Sequence, residues 1–261
     1  MSVCDVIVMG AGGRMGRTVA ALVAADKAFR LAGAVERPES ANALTGYECV
    51  TGTDSESVFT QCPDAVIIEF TTPESSLRTA KLAARLGNPA VIGTTGFRTA
   101  QTKELENAAQ GGKIFWAPSM SVGLNALLAV LPKLVEALGP AYDLEIMEIH
   151  HNRKADSPSG TALKLGQVVA GARGWNLDQV KNCGREGIIG PRPREEIGIA
   201  AVRGGDVVGD HTVYFLGPGE RVEVTHRVQS RETFAQGALR AAKWVKDQPG
   251  GRLYSMADML K

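Results

Sequence analysis

The stretch EIHHNRKADSPSGTAL, residues 148–163, joins two adjacent histidines, cationic side chains and a Ser-Gly-Thr turn in front of a predicted helix. Side chains of these types can ligate a metal, activate a nucleophile or bind an anion. The spacing of the residues separates these three kinds of site, because each chemistry needs its groups at particular places on a strand, helix or loop.

Metal binding and nucleophilic catalysis both fit the stretch poorly. Successive residues of a strand point to opposite faces, so His150 and His151 cannot easily share one metal ion if EIMEIHH is extended. The sequence has no H-E-x-x-H motif and no Cys/His spacing typical of zinc. Ser159 lies in SPSGT rather than in G-x-S-x-G, so nothing marks it as a nucleophile. We therefore predict no metal site.

A site for an anion fits the stretch better. A Ser-Gly-Thr turn that leads into TALKLGQVVA can cap a helix, and the free N–H groups at a helix N-terminus attract a carboxylate. Lys154 adds a point charge nearby. A histidine beside such a loop is a natural proton donor, because the unperturbed pKa of histidine, roughly 6.5, lies near working pH. A capped helix behind an ordinary surface loop is the alternative.

The other two histidines of the chain give weaker signals. In RVEVTHRV, strand alternation places His226 on the same face as three valines, which is typical of a hydrogen-bonded core histidine. His211 follows GGDVVGD and belongs either to a turn or to a site. Neither residue is assigned a chemical role from the sequence.

A second chemical signal is GAGGRMGR, residues 10–17. Strict G-x-G-x-x-G fails because its last position is Met15, and the glycines stand at 10, 12, 13 and 16. The loop nevertheless lies between a predicted strand, DVIVMG, and a predicted helix, where backbone N–H groups and the positive helix end favour a pyrophosphate. We predict a dinucleotide site here. A tight turn beside a charged strand end is the alternative.

Two charged residues at the end of the second predicted strand bear on the choice of dinucleotide. Glu36 stands about 20 residues beyond Gly16, where an acidic side chain can accept hydrogen bonds from an adenosine ribose, as in NADH sites. Its neighbour Arg37 can pair with the 2′-phosphate of NADPH. The sequence therefore predicts either NADH or NADPH as cofactor.

The elements that position these residues change in style near residue 140. Before it, apolar strands such as DAVIIEF and PAVIGTT alternate with helices such as PESSLRTAKLAARLG, which predicts a Rossmann-type, doubly wound parallel sheet. After it, YDLEIMEI, IGIAAVR, DVVGDHTVYFL and ERVEVTHRV predict a largely antiparallel or mixed sheet. The long helix SVGLNALLAVLPKLVEAL is expected to be kinked or divided at Pro132. A last helix, RETFAQGALRAAKWVKD, returns to the first style.

The composition restricts the class of protein. With 261 residues, 44% of them hydrophobic, the chain can bury a sizeable core in one large domain or two modest ones. Its formal charge is +1 and the basic residues are spread along the chain, so we expect no nucleic-acid partner. Four dispersed cysteines without a signal peptide predict a reducing cytoplasm. No apolar run approaches a membrane span, so we expect no membrane partner.

Eight blocks of the sequence, taken in order, closely resemble the dihydrodipicolinate reductase family. They are GAGGRMGR, IEFTTPE, VIGTTGF, APSMSVGLN, EIHHNRKADSPSGTAL, GREG, AVRGGDVVGDHTVYF, and ERVEVTHR with SRETFAQGALRAAKW. The resemblance runs from about residue 3 to the C-terminal MADML, and HHNRKADSPSGTA is far more specific than a glycine loop. It implies NADH- or NADPH-dependent reduction of 4-hydroxy-tetrahydrodipicolinate (dihydrodipicolinate) to tetrahydrodipicolinate on the diaminopimelate route to lysine.

The resemblance also implies how the chain is divided. It predicts a Rossmann-type dinucleotide-binding domain over residues 1–121 and 231–261. A second, mixed α/β domain over residues 122–230 is expected to bind the substrate, a small dicarboxylate, and to build a homotetramer.

Residue by residue, the resemblance implies roles for two groups of side chains. His150 corresponds to the proton donor and Lys154 to a second proton-donating residue. The implied substrate contacts are His151, Ser159, Gly160, Thr161 and Thr95. The implied cofactor contacts are Gly10, Ala11, Gly12, Gly13, Arg14, Met15, Glu36, Arg37, Gly93, Thr94, Thr95, Ala117, Pro118, Ser119 and Met120. Many members carry Asn where this chain has Ser119, whose hydroxyl keeps hydrogen-bonding ability with a shorter reach.

The implied reaction moves a hydride from the nicotinamide to an unsaturated ring carbon, and a proton from His150 or Lys154 neutralises the developing charge. If the 4-hydroxy compound is the substrate, water leaves before reduction or together with it. Two alternatives are weighed beside this reductase. One is a related dehydrogenase that acts on another small amino or keto acid. The other is a non-catalytic nucleotide-binding protein on the same fold.

Overall fold

The computed structural model describes residues 3–261. The strands of this range are β1 (Cys4–Met9), β2 (Phe29–Val35), β3 (Val50–Gly52), β4 (Val66–Glu69), β5 (Ala90–Ile92), β6 (Lys113–Trp116), β7 (Asp143–His150), β8 (Lys181–Asn182), β9 (Ile197–Arg203), β10 (Gly209–Gly217), β11 (Glu220–Val228) and β12 (Arg252–Tyr254).

The α-helices of the same range alternate with the strands in the first half of the chain and are fewer in the second half. They are α1 (Arg14–Ala25), α2 (Ser55–Gln61), α3 (Pro73–Leu86), α4 (Thr99–Ala109), α5 (Val122–Leu138), α6 (Gly160–Ala172), α7 (Leu177–Val180), α8 (Glu232–Lys246) and α9 (Met256–Met259). A short 3-10 helix, Pro38–Leu44, follows β2.

The chain forms two compact units. The first runs to Val122 and resumes over Arg231–Lys261, and the second is Gly123–Ser230. The first unit contains a seven-stranded parallel sheet with the strand order β12-β6-β5-β4-β1-β2-β3. The strand order reverses between β1 and β4, and in open α/β sheets such a point, at the carboxyl ends of the strands, is where ligands bind. The predicted Rossmann-type fold is confirmed.

Both faces of the parallel sheet are covered by helices. Successive strand residues point to opposite faces, so Val6 and Val8 pack with α1 and α8, whereas Ile7 and Met9 pack with α2, α3 and α4. These four residues are at most 6% exposed. Strands buried on both faces explain the continuous apolar runs that the sequence shows in this half.

Local signals set several helix ends. Pro73 opens α3, and Gly87 closes it in the left-handed conformation with φ of +87°. The Asp26 carboxylate accepts a hydrogen bond from the Ala28 N–H and turns the chain just after α1 ends at Ala25. Phe29 therefore belongs to β2 rather than to α1.

Of the two outcomes expected at Pro132, a kink or a division of the long apolar helix, the division is wrong, since α5 is one helix of 17 residues that contains this proline. Leu131 and Val135 on either side of it are 0% and 1% exposed in the core of the second unit, so packing holds the helix together across the missing N–H. Across residues 3–261, no helix combines the length and apolarity that crossing a membrane requires.

The second unit is built on a mixed five-stranded sheet with the order β11-β10-β7-β9-β8. Strand β10 is antiparallel to β11 and β7, whereas β9 is parallel to β7 and β8. Residues of α5 and α6 join the sheet in one apolar cluster. The predicted mixed sheet is confirmed, and β7 at its centre carries the first histidine of the opening stretch.

Candidate active site

The glycine loop of the first unit turns the chain tightly between β1 and α1. Gly10 has a φ of +61°, which favours glycine, and its carbonyl accepts a hydrogen bond from the Gly13 N–H at 2.9 Å. A Cβ on Gly16 would lie 2.1 Å from the Gly10 carbonyl oxygen, so the first turn of α1 packs directly on the loop. Gly13 is the N-cap of α1 and brings no side chain between the helix N-terminus and an anion.

Glu36 is held at the end of β2 by backbone donors. One carboxylate oxygen accepts the Gly12 N–H at 2.8 Å and the other accepts the Arg37 N–H at 2.9 Å. The residue is only 8% exposed. These bonds tie the second strand to the glycine loop, which fixes the carboxylate at the place where the sequence predicted an adenosine contact.

A cleft of about 1150 Å³ lies in the first unit over this loop. Its lining includes Gly10, Gly12, Gly13, Arg14, Met15, Glu36 and Arg37, with Arg17 and Arg78. The Arg37 side chain is 73% exposed and lies 3.8 Å from Glu36 and 3.4 Å from Glu39. Open helix N–H groups, a close glycine backbone and several arginines match what the pyrophosphate and phosphates of a dinucleotide need. The residues present therefore fit such a cofactor.

The structure separates the two threonines of VIGTTGF. Thr94 is 3% exposed, and its hydroxyl accepts a hydrogen bond from Ser76 at 2.7 Å. Thr95 is exposed. Gly93 packs so closely that a Cβ there would lie 2.1 Å from the ring of Phe70. The side chain of Thr95 is thus open to a ligand, whereas Thr94 is committed to the interior of the unit.

The segment Ala117–Met120 is also divided between the core and the surface. Ala117 and Met120 are 4% and 1% exposed and belong to an apolar cluster, whereas Pro118 is exposed. The Ser119 hydroxyl accepts a hydrogen bond from the Ser121 N–H at 3.4 Å. Any contact of Ala117 or Met120 with a ligand must therefore come from the backbone.

Sequence reasoning missed a buried carboxyl at the end of β4. Glu69 is 0% exposed and accepts hydrogen bonds from the Thr71 N–H at 3.0 Å, from the Thr79 hydroxyl at 2.8 Å and from the Thr71 hydroxyl. Burial raises the pKa of Glu69, against these hydrogen bonds. The carboxyl fixes the turn after β4, and Thr71 lines the cleft.

In the second unit, His150 ends β7 and pairs with a carboxylate two residues earlier on the same strand face. Its Nδ1 lies 2.5 Å from Glu148 Oε2. Glu148 is 0% exposed and His150 is 8% exposed. A Cβ on Gly209 would lie 3.0 Å from His150 Nε2, so a glycine on β10 leaves space at the other ring nitrogen.

Glu148 is held by two further groups. Arg203 Nη1 donates to Oε2 and Nη2 donates to Oε1, each at 2.7 Å, and the Ser159 N–H donates to Oε1 at 3.0 Å. Burial raises the pKa of Glu148, but the hydrogen bonds from Arg203, His150 and Ser159 outweigh it and hold the pKa below its ordinary value. The group is therefore an ionised carboxylate that only accepts hydrogen bonds.

The Ser-Gly-Thr turn caps α6, as the sequence predicted. Ser159 is the N-cap, and its hydroxyl accepts the Ala162 N–H at 3.2 Å. The N–H groups of Gly160 and Thr161 stand in the first turn, where a helix supplies no carbonyl partner. The Ser159 side chain is buried, at 2% exposure, and stabilises the turn from its interior side. Gly160, in contrast, is exposed.

Lys154 and His151 lie on the loop between β7 and α6. Lys154 Nζ donates to the Asp156 carboxylate at 2.7 Å, which holds the pKa of Asp156 below its ordinary value. The His151 N–H donates to the Val207 carbonyl at 2.8 Å, and the Lys154 N–H donates to the His151 carbonyl at 3.1 Å. The loop is thus bonded into a defined shape, and its cations stand on the same segment as the α6 N-terminus.

His211 on β10 completes the group, although the sequence alone assigns it no chemical role. It is 5% exposed, its Nε2 lies 3.0 Å from the Ser159 hydroxyl, and its ring centroid lies 5.0 Å from that of His150. Burial, followed by the nearby His150, lowers the pKa of His211 to about 4. The imidazole is therefore neutral at neutral pH.

This depressed pKa predicts a loss of stability in mild acid. Unfolded histidine binds a proton below its ordinary pKa, whereas folded His211 does not until about pH 4, so the folded state is penalised as the pH falls through that window. Between about pH 7 and about pH 5, the free energy of unfolding should drop by about 2 kcal/mol from this group. Urea unfolding at fixed protein concentration measures it.

The matched variant for that measurement is His211→Asn, which keeps a polar partner for Ser159 and has no titrating group. Its stability should be lower at neutral pH and less sensitive to pH between about 5 and 7. The Glu148 carboxylate has a lowered pKa, so its stabilising effect is lost only at lower pH and does not confuse this window. An equal pH dependence in both proteins would contradict the assignment.

His226 lies outside the group around Glu148. His226 is half-buried on the β11 face that carries Val222 and Val224. Burial lowers the pKa of His226.

Within residues 3–261, the structure brings together no cluster of three or more His, Cys, Asp or Glu side chains able to hold a metal ion.

The fold and these sites together define a nucleotide-dependent reductase or dehydrogenase, with a Rossmann-type unit that fits a dinucleotide and a second unit that presents a carboxylate-paired histidine. The family profile described as "Dihydrodipicolinate reductase, N-terminus" matches residues 4–120, and "Dihydrodipicolinate reductase, C-terminus" matches residues 123–260. The chain belongs to the dihydrodipicolinate reductase family, as the resemblance predicted.

Relatives support this assignment over nearly the whole length. A 4-hydroxy-tetrahydrodipicolinate reductase of Nitratidesulfovibrio vulgaris (strain DP4) is 59% identical over 97% of this chain and 98% of its own. That of Rubrobacter xylanophilus is 50% identical over 98% and 97%. The structure of dipicolinate-bound dihydrodipicolinate reductase from Paenisporosarcina sp. TG-14 superposes with a TM-score of 0.75 at 24% identity, covering 97% of both chains. It confirms the fold.

Proposed function

We propose that this chain catalyses the NADH- or NADPH-dependent reduction of 4-hydroxy-tetrahydrodipicolinate to tetrahydrodipicolinate in the diaminopimelate route to lysine. The observation that carries the proposal is the pairing of His150 with the Glu148 carboxylate at 2.5 Å, beside the N-terminus of α6. A proton donor and an anion site are thereby built on connected residues. Family membership and the dinucleotide cleft agree with it.

The second unit supplies the groups that bind a dicarboxylate. The N–H groups of Gly160 and Thr161 donate to one substrate carboxylate. His151 and Lys154 are proposed as further polar contacts with the substrate, and Ser159 holds the turn in place. Thr95 of the first unit is proposed as a further substrate contact because its side chain is exposed. Reduced nicotinamide supplies the hydride when bound. His150, or Lys154 beside it, donates the proton that neutralises the negative charge on the ring.

The proposed cofactor contacts are divided between two parts of the first unit. The adenosine and pyrophosphate side comprises Gly10, Ala11, Gly12, Gly13, Arg14, Met15, Glu36 and Arg37, most of which line the cleft. The nicotinamide side comprises Gly93, Thr94, Thr95, Ala117, Pro118, Ser119 and Met120. The buried members of this second set would act through backbone atoms.

We propose that the unit that contains Arg231–Lys261 is the dinucleotide-binding domain and that Gly123–Ser230 binds the substrate and builds a homotetramer. Family resemblance supports the tetramer. All four cysteines are free thiols, which supports a reducing compartment, the cytoplasm. Gel filtration with light scattering measures the oligomeric state.

Arg37→Ala should weaken NADPH binding by about tenfold and change NADH binding by less than about twofold, since one charge-assisted hydrogen bond to the 2′-phosphate contributes about 1.5 kcal/mol or more. Arg37 is suited to this contact because its guanidinium is exposed at the cleft beside Glu36. Fluorescence titration of both reduced cofactors provides the dissociation constants.

The control is Arg30→Ala, because Arg30 is also an exposed arginine, lies on β2 and pairs with Asp5 at 2.5 Å outside the cleft lining. It should leave both dissociation constants unchanged. Equal losses for NADH and NADPH in the Arg37 variant would show that Arg37 contacts a group common to both cofactors or supports the loop.

The proposed activity is tested by mixing the protein with freshly generated cyclic precursor and following the absorbance of reduced nicotinamide. Consumption that depends on the precursor is the expected result. Cofactor binding without turnover would favour a non-catalytic nucleotide-binding protein. Turnover only on other small amino or keto acids would favour a related dehydrogenase and would overturn the proposal.

A further inference from the structure

The buried carboxylate of Glu148 contacts both His150 and the N-cap of α6 in the proposed proton-transfer site. Its two oxygens accept four hydrogen bonds: one from His150, two from Arg203 and one from the Ser159 N–H. Its donors come from β7, from β9 and from the N-cap of α6. Glu148 therefore joins the histidine and the helix cap directly.

The charge state of Glu148 determines which nitrogen of His150 carries a proton. An ionised carboxylate has no hydrogen to donate, so the His150 nitrogen that faces it must be the donor, and this nitrogen is Nδ1. A neutral His150 is therefore the Nδ1–H tautomer. Its Nε2 is then the nitrogen that gains and loses a proton, on the side where Gly209 leaves space.

Arg203 fixes the carboxylate in this role. It binds both oxygens in a fork with two contacts of 2.7 Å, and its Nη2 also donates to the Asp156 carbonyl at 2.8 Å. The carboxylate plane therefore cannot rotate away from the ring without breaking two charge-assisted bonds. Because the Ser159 N–H binds the same carboxylate, the ring and the start of α6 share one support.

We infer that Glu148 is a positioning residue that holds His150 as the Nδ1–H tautomer, with Nε2 as the proton-delivering atom, and that Arg203 holds Glu148 in place. The kinetic part of this inference rests on the proposed function, whereas the tautomer can be measured in the free enzyme. Glu148 does not touch the reacting atoms. Its effect on turnover passes through the orientation and protonation of the imidazole.

The central test is Glu148→Gln. Glutamine has nearly the same size, but its NH₂ group must face two of the four donors that now point at the carboxylate. The variant should lower kcat by about 10²-fold or more and change NADH affinity by less than about twofold. NMR of protein with isotope-labelled histidine should show Nδ1–H for His150 in the parent protein and a shift toward Nε2–H in the variant.

The chain has four histidines, so the spectrum is simple, and the signal lost in His150→Gln identifies His150. Glu145→Gln is the matched control, since Glu145 is another arginine-paired glutamate on β7 and bonds Arg185 and Arg192 instead of His150. It should leave the His150 tautomer and kcat unchanged. A folded Glu148→Gln protein that retains Nδ1–H, or that retains kcat, overturns the inference.

A second variant covers the case in which Glu148→Gln does not fold. Arg203→Lys keeps the positive charge and leaves Glu148 in place but loses the bidentate hydrogen bond to it. This variant should show a mixture of His150 tautomers and a roughly tenfold lower kcat. An unchanged tautomer and an unchanged kcat would contradict the inference. If the parent protein itself fails to turn over the cyclic precursor, the proposed function fails, while the tautomer measurement still tests the role of Glu148.

Discussion

His150→Gln should lower kcat by about 10²-fold or more while the dissociation constant for NADH changes by less than about twofold. The imidazole is the proposed proton donor, and glutamine can bond Glu148 but cannot deliver a proton at neutral pH. Steady-state rates with the cyclic precursor and fluorescence titration of NADH measure the two quantities. Cofactor binding is proposed for the other unit, so an unchanged NADH dissociation constant would show that the loss is chemical.

His226→Gln is the control for removing a histidine from the same sheet, because His226 lies on β11 outside the group around Glu148. We expect its kcat to stay within about twofold of the parent value. Retained turnover in the His150 variant would remove this residue from the mechanism and leave Lys154 as the proton donor. A parallel fall in NADH affinity would instead indicate damage to the fold.

Gly16→Ala is expected to raise the dissociation constant for reduced cofactor by tenfold or more. The added methyl would lie 2.1 Å from the Gly10 carbonyl oxygen and 2.9 Å from the Ala11 Cα, both of them backbone atoms that have little room to move. Overpacking of this kind costs about 1–3 kcal/mol, and displacing the loop to relieve it moves the N–H groups that are proposed to bind the pyrophosphate. Fluorescence titration of NADH measures the loss.

Gly13→Ala is the comparison in the same loop. Its added Cβ would lie 3.1 Å from the Gly10 carbonyl oxygen, so the neighbour must yield by only a few tenths of an ångström. The loss of affinity should be clearly smaller than for Gly16→Ala. If both variants bind NADH as tightly as the parent protein, the close approach of α1 to the loop has no part in cofactor binding.

Local sequence signals predicted the strand, glycine turn and helix at the start of the first unit well. A strand, a glycine turn, a helix and then an acidic residue at the end of the next strand are all set by short-range preferences, and the structure places Glu36 on the Gly12 N–H. The same holds for the helix cap, because Ser159 needs only its own following turn to act. Glycine turns and helix caps can be predicted because each depends on a few residues that are close in sequence.

The support of His150 depends on strand pairing, which the sequence does not display. Glu148 has a local signal that sequence reasoning missed, since a glutamate two residues before a histidine on a strand shares its face. Arg203 has none: it reaches Glu148 because β9 pairs in parallel with β7 and sets Arg203 opposite His150. His211 similarly reaches Ser159 only through the antiparallel pairing of β10 with β7.

The order of strands in the second unit also bears on how the protein acquires activity as it folds. Arg203 and Glu148 are 55 residues apart in sequence, and β7 is paired with β10 on one side and with β9 on the other. Pairings across such long separations form slowly, because the entropy of closing the chain is lost before the contacts compensate. A partly folded second unit can therefore have its α6 cap in place while His150 still lacks its fixed tautomer. The fixed tautomer of His150 therefore requires that β9 has paired with β7.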